Sequence, residues 1–135
     1  FKLAYCPFGS IYLVAADCRV DHADTFGKWQ AFEINNHNLK MILIPPSFGL
    51  AHLVLSQVAV FDYHWSSSFD GDKQIDFRWD SFGIEWPTKE PILSERDRNA
   101  TFIPFKREEV AGFSEFPLPK QFADHLRRMA EEDQR

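Results

Sequence analysis

The residues able to move protons in this sequence are few and scattered. Histidine stands at five positions, His22, His37, His52, His64 and His125, and none of them pairs as HxH, HxxH or HExxH. Spacing therefore gives no signal for a metal site, although ligands can also converge from distant strands. His52 opens an apolar stretch in which period-2 alternation puts Val54 and Ser56 on its own face and Leu53 and Leu55 on the other. It reads either as a functional group or as a strand histidine with its hydrogen bonds satisfied. Tyr63 lies in VAVFDYHW, where Ala59, Phe61, Tyr63 and Trp65 share one face and Val58, Val60, Asp62 and His64 the other. Its phenol either donates a proton or fills an aromatic core with the hydroxyl at the edge. PILSERDR, Pro91 to Arg98, is dense in charge. It is either a solvated loop or a segment whose Asp97 turns inward to hold another group. Cys6 and Cys18 make no CxxC and no zinc-like spacing, and read as reduced thiols. No G-x-S-x-G elbow, P-loop or dinucleotide fingerprint occurs, so serine hydrolysis and nucleotide-cofactor chemistry lack support.

These groups need a scaffold, and the sequence points to β-structure. Its 135 residues suit one domain, and a 44% hydrophobic and 16% aromatic content, with 14 Phe, supplies a core. The net charge of −5 argues against general nucleic-acid binding. No apolar run approaches the roughly 20 residues that cross a bilayer, and no stretch has the three regions of a secretory signal. Short strands are expected at Ser10–Cys18, Lys28–Ile34, Leu39–Ile44, His52–Ser56, Val58–Trp65 and Gln74–Trp79, with turn signals between them. Such a series reads as a sandwich or barrel. From Asp80 to Pro104 the pattern is that of an ordered loop crossing its surface. LPKQFADHLRRMAEEDQR then reads as a helix, with Phe122, Leu126 and Met129 as its apolar stripe. That helix is expected to pack on the barrel or on a partner subunit.

Seven stretches occur together in one order: KL followed by IYLVAADCR (Lys2 to Arg19), TFGKW, IPPSFGLAHLVLS, VFDYH, RWD, GIEWP and PILSERD. In order and near-family spacing they resemble the dTDP-4-dehydrorhamnose 3,5-epimerase family of cupin-fold sugar-nucleotide epimerases. The resemblance implies an all-β fold, part of a cupin-type jelly-roll barrel, over residues 1–104. It does not extend over 105–135, an extension carrying the C-terminal α-helix. It further implies a cofactor-free isomerase acting on a nucleotide-linked 4-keto-6-deoxyhexose; no metal is expected, since no ligand spacing is visible. In that chemistry a base removes the proton beside the ketone, an enolate forms, and a proton returns to the opposite ring face. The products serve rhamnose or related surface-polysaccharide biosynthesis. By the same resemblance Lys2 falls on the lysine that steadies the oxyanion and Tyr63 on the tyrosine that protonates. Asp97 falls on the carboxylate that orients a basic histidine, and Arg96 beside it contributes to substrate binding. A homodimer is implied; a cytoplasmic location is expected from the reduced cysteines, and no nucleic-acid or membrane partner from the charge and the lack of a long apolar run.

The sequence departs from the family's pattern at three places. The basic histidine precedes the matched lysine in the family, whereas here the lysine is residue 2, so the chain reads as a fragment or as a shortened relative. Phe48-Gly49-Leu50-Ala51-His52 stands for Phe-Ala-His-Gly-Phe, so Leu50 takes the histidine's place and His52 that of an aromatic. If one strand runs through both positions they share a face, and His52 is expected to line the sugar pocket. Phe69 stands where the family has a second tyrosine. Epimerisation at C3 alone, ketoisomerisation, or a non-catalytic cupin that binds sugar nucleotides are the alternatives these departures leave.

Overall fold

The computed structural model describes residues 1–68, 70 and 74–110. Six strands, β1 (Lys2–Phe8), β2 (Ser10–Asp17), β3 (Trp29–Asn35), β4 (Met41–Ile44), β5 (Phe48–Val54) and β6 (Val60–Trp65), form two three-stranded antiparallel sheets ordered β4-β1-β6 and β3-β2-β5. The sequence of β2, SIYLVAAD, is almost continuously apolar, which suits a strand covered on both faces. Accordingly β2 is the centre of its sheet. Ile11 and Leu13 turn toward the other sheet and share a core with Ala4, Cys6, Ile34, Ile44 and Phe48. Val14 and Ala16 turn the other way, onto Trp29 and Phe82. The first core thus lies between two face-packed sheets, the all-β cupin-type arrangement expected from the sequence.

The second core is roofed by residues 77–110. Phe82 lies at its centre, 2% exposed, with the rings of Phe26, Phe77 and Phe105 at 5.5, 5.6 and 5.7 Å. Backbone bonds tie this segment down, from Arg107 N–H to the Phe82 carbonyl (2.7 Å) and from Val110 N–H to the Trp29 carbonyl (2.9 Å). A short 3₁₀ turn (Ser81–Gly83) and one helical turn, α1 (Glu95–Asn99), interrupt it. The irregular surface-crossing segment expected after Asp80 is this roof.

Two strand expectations need correction. Gln74–Trp79 is not a strand. Phe77 makes a single parallel bridge to Thr101, and the Arg78–Asp80 pair and the turn at Ser81 then redirect the chain. The strand expected from His52 begins four residues earlier, at Phe48, because the turn is complete by Ser47, whose φ of 63° takes the left-handed position. The proposed helix over Phe122, Leu126 and Met129, together with His125 and Phe69, lies outside the described residues. Among the described residues no helix is long and apolar enough to cross a membrane.

Candidate active site

Alternation along β1 and β6 decides which side chains meet. In β1, Ala4 and Cys6 belong to the inter-sheet core, so Lys2 points to the same side. In β6, Phe61 packs on that core, so Tyr63 and Trp65 share its face. The register sets Lys2 opposite Trp65 and Ala4 opposite Tyr63. The half-buried Lys2 ammonium lies 4.4 Å from the centre of the Trp65 ring, a cation–π contact. Burial pushes the Lys2 pKa below the usual lysine value, with Cys18 acting in the opposite sense. The Cys18 thiol is itself pushed up to about 11, chiefly by burial, so it is neutral at ordinary pH and does not neutralise the ammonium.

A row of rings runs from this lysine across the sandwich. Trp65 to Tyr63 is 6.1 Å, Tyr63 to Phe61 5.3 Å, and Phe61 to His52 4.5 Å between centroids. His52 enters from the other sheet, on β5 opposite Leu13. The row borders solvent, since Tyr63 is 45% exposed and His52 is exposed as well. His52 is nevertheless crowded by protein. That desolvation lowers its pKa below the ordinary histidine value, while the charge of Asp97 works against the shift. At neutral pH the imidazole is uncharged there and offers one donor and one acceptor.

The remaining candidates make their own hydrogen bonds elsewhere. Asp97 is exposed on α1 and serves the helix start. Ser94 donates its hydroxyl to Asp97 Oδ2 at 2.7 Å and accepts the Asp97 backbone N–H at 3.1 Å. Asp97 reaches His52 only through its field. Arg96 is also exposed, and its Nε donates to Asp76 Oδ2 at 2.6 Å. The structure therefore brings Lys2, Tyr63 and His52 to one surface and leaves Asp97 and Arg96 at the roof. Asp62 and His64 face outward with Tyr5, whose hydroxyl donates to Asp62 at 2.7 Å and whose ring stacks on His64 at 5.9 Å. Among the described residues no three His, Cys, Asp or Glu side chains converge to hold a metal ion.

Two features escape sequence reasoning. Trp65 does not stand out as a functional residue, although alternation puts it on the Tyr63 face; only register places it under Lys2. The local use of Asp97 is missed too, although Ser94-Glu95-Arg96-Asp97 carries the S-x-x-D spacing of a capping box. Chemically, the surface offers a half-buried ammonium that can meet a negative oxygen, a solvent-bordering phenol that can give a proton, and a neutral imidazole for hydrogen bonding.

Comparison with known proteins gives a consistent result. The sequence model of the family described as dTDP-4-dehydrorhamnose 3,5-epimerase matches residues 1–104. A dTDP-4-dehydrorhamnose 3,5-epimerase from Shigella flexneri is 34% identical over 100 residues, which is 73% of this chain and 55% of the relative. The solved structure of a dTDP-4-dehydrorhamnose 3,5-epimerase from Elizabethkingia anophelis superposes with a TM-score of 0.70 at 31% identity, covering 75% of this chain and 57% of that one. A dTDP-6-deoxy-D-glucose-3,5-epimerase from Legionella pneumophila, solved with dTDP-4-keto-L-rhamnose, gives 0.71 at 27% identity, covering 75% of this chain and 55% of its own. The chain spans about half the length of the curated relatives it matches.

Proposed function

The chain belongs to the dTDP-4-dehydrorhamnose 3,5-epimerase family, and from that premise we propose that the full-length protein inverts C3 and C5 of a nucleotide-linked 4-keto-6-deoxyhexose. The observation that carries the reading is Lys2 and Tyr63 on one solvent-bordered face, joined through the ring of Trp65. The C4 ketone acidifies the protons on its neighbouring carbons. A base takes one, and the electron pair moves onto the ketone oxygen as an enolate. The Lys2 ammonium stabilises that oxygen, acting where charge develops. Tyr63 returns a proton to the opposite face of the ring, so the carbon inverts without any change of oxidation state.

His52 lines the sugar pocket in this reading, donating or accepting through its neutral imidazole. Asp97 orients the base, which in the family is a histidine preceding the matched lysine. Arg96 binds substrate by exchanging Asp76 for a substrate anion, an exchange that guanidinium geometry favours. The reaction needs no cofactor. A cytoplasmic homodimer, and a division into an epimerase unit over 1–104 and an extension over 105–135, belong to the same proposal.

The test is solvent exchange. Full-length protein incubated in deuterated water with a dTDP- or GDP-linked 4-keto-6-deoxyhexose should place deuterium at C3 and C5. Deuterium at C3 alone assigns a one-carbon epimerase. No incorporation from any such sugar sinks the catalytic reading.

A further inference from the structure

Lys2 is held in an unusual way for a half-buried cation. Antiparallel register places it directly opposite Trp65, at the separation where cross-strand side chains touch. That register is fixed on both sides, by Ser66 N–H bonding to the Phe1 carbonyl at 3.0 Å and by Ala4 pairing with Tyr63. The other flank of Lys2 is Ile44, 1% exposed, which gives the stem an apolar wall. Among the described residues no carboxylate forms an ion pair with Lys2. The ammonium instead rests 4.4 Å from the indole centre. This difference matters for chemistry. A carboxylate would neutralise the ammonium and compete with any anion arriving from the substrate. An aromatic face attracts the cation through its quadrupole but leaves the charge in place. The centre of the same indole also lies 6.1 Å from the centre of the Tyr63 ring, the two rings tilted by 45°. One side chain therefore spaces the two groups that the proposed reaction needs.

We infer that Trp65 is the positioning residue for the Lys2 ammonium, seating it on the indole face so that its full charge is aimed at the substrate oxygen at a fixed separation from Tyr63. The inference rests on the proposed role of Lys2 and adds a residue to it. A flexible four-carbon stem would otherwise sample many rotamers, and an oxyanion stabiliser is effective only where it is preorganised. The competing account is that Trp65 merely fills space and Lys2 lies over it by default.

A double-mutant cycle in the full-length protein separates the two. Trp65→Phe and Trp65→Leu are made alone and on Lys2→Met, and deuterium incorporation is followed for kcat and KM. Trp65→Phe keeps a ring and should lose a few-fold in kcat. Trp65→Leu should lose about tenfold, as expected for removal of a partly desolvated cation–π contact, with KM changed less than about twofold. On Lys2→Met the Trp65→Leu substitution should cost nothing further. An equal loss in both backgrounds overturns the inference. A second readout needs neither substrate nor the Lys2→Met activity. The Lys2 ε-methylene protons should resonate upfield of the other lysines through the indole ring current, and return to the common position in Trp65→Leu. Protons at the common position already in the unsubstituted protein overturn the seat. Upfield protons in a protein that exchanges no deuterium would support the seat and overturn the catalytic reading, so the two failures are distinguishable.

Discussion

At the scale of single residues, Leu50 and His52 divide one strand face between core and solvent. β5 runs through both Leu50 and His52, so they share a face, about 6–7 Å apart along the strand. Leu50 packs on the inter-sheet core, while His52 reaches the solvent-bordered end of the ring row. The two positions thus share a side and differ in depth. Its lowered pKa has a consequence for stability. Below the ordinary value of 6.5 the unfolded chain binds a proton that folded His52 resists. The unfolded state then holds more protons, and stability falls with falling pH until the folded pKa is passed. Above both values the histidine contributes no pH dependence. His52→Phe removes this penalty. Its urea midpoint relative to the unsubstituted protein should therefore rise as pH is lowered from about 7.5 to about 5.5. A relative midpoint that falls over that window would mean that attraction to Asp97 outweighs the loss of hydration, and that folding raises the histidine's pKa instead of lowering it.

At the scale of elements, the critical point is the corner where the chain leaves one sheet for the other. β1 ends at Phe8 and β2 begins at Ser10, yet they belong to different sheets, so Gly9 alone makes the change. Its φ is +83°, and a Cβ there would lie 2.4 Å from the Val58 carbonyl oxygen and 2.6 Å from Ser56 Oγ. Both the backbone conformation and the space exclude a side chain. Gly9→Ala should cost about 2 kcal/mol or more in chemical denaturation. Gly49→Ala is the comparison, since its φ is not positive and the tightest contact of its Cβ would be the Cys18 sulfur at 3.0 Å. It should be milder, and equal losses would show that the corner geometry is not what matters. Turn chemistry around Gly9, the apolar run of β2 and the period of β6 are visible in the sequence. The start of β5 is not, because the turn signal running from Pro45 to Gly49 overlaps the strand's first residues, Phe48 and Gly49.

At the scale of the whole molecule, the two cores have separate duties. The inter-sheet core sets the face that carries Lys2, Tyr63 and His52. The second core holds down the roof that carries Arg96 and Asp97. Phe82 anchors that roof, buried among three phenylalanines and held at a φ of 62°. Phe82→Ala should destabilise the protein by about 3–5 kcal/mol, the range for truncating a buried aromatic. Amide hydrogen exchange should localise the damage. The Arg78 and Arg107 amides, which bond within the roof to Thr101 and Phe82, should lose protection ahead of the β1–β6 pair. Simultaneous loss at both places would mean that the two cores open as one unit and that the roof has no stability of its own.

The sequence by itself determined what is local or collinear. Alternation is a property of the extended backbone, so VAVFDYHW places Tyr63 and Trp65 on one face before any fold is known. The ordered motifs, read as a resemblance, led to the family, the all-β class and the residues to watch. Only the tertiary structure decided which of those residues meet. Lys2 and Trp65 come together through cross-strand register, and His52 joins the row because the second sheet brings β5 across the sandwich. Asp97 stays on the roof, its carboxyl engaged by Ser94 in the first turn of α1. The physical reason is distance along the chain. Period and capping depend on neighbours a few residues away, whereas register and sheet stacking are settled by packing between residues far apart in sequence, which no short stretch encodes.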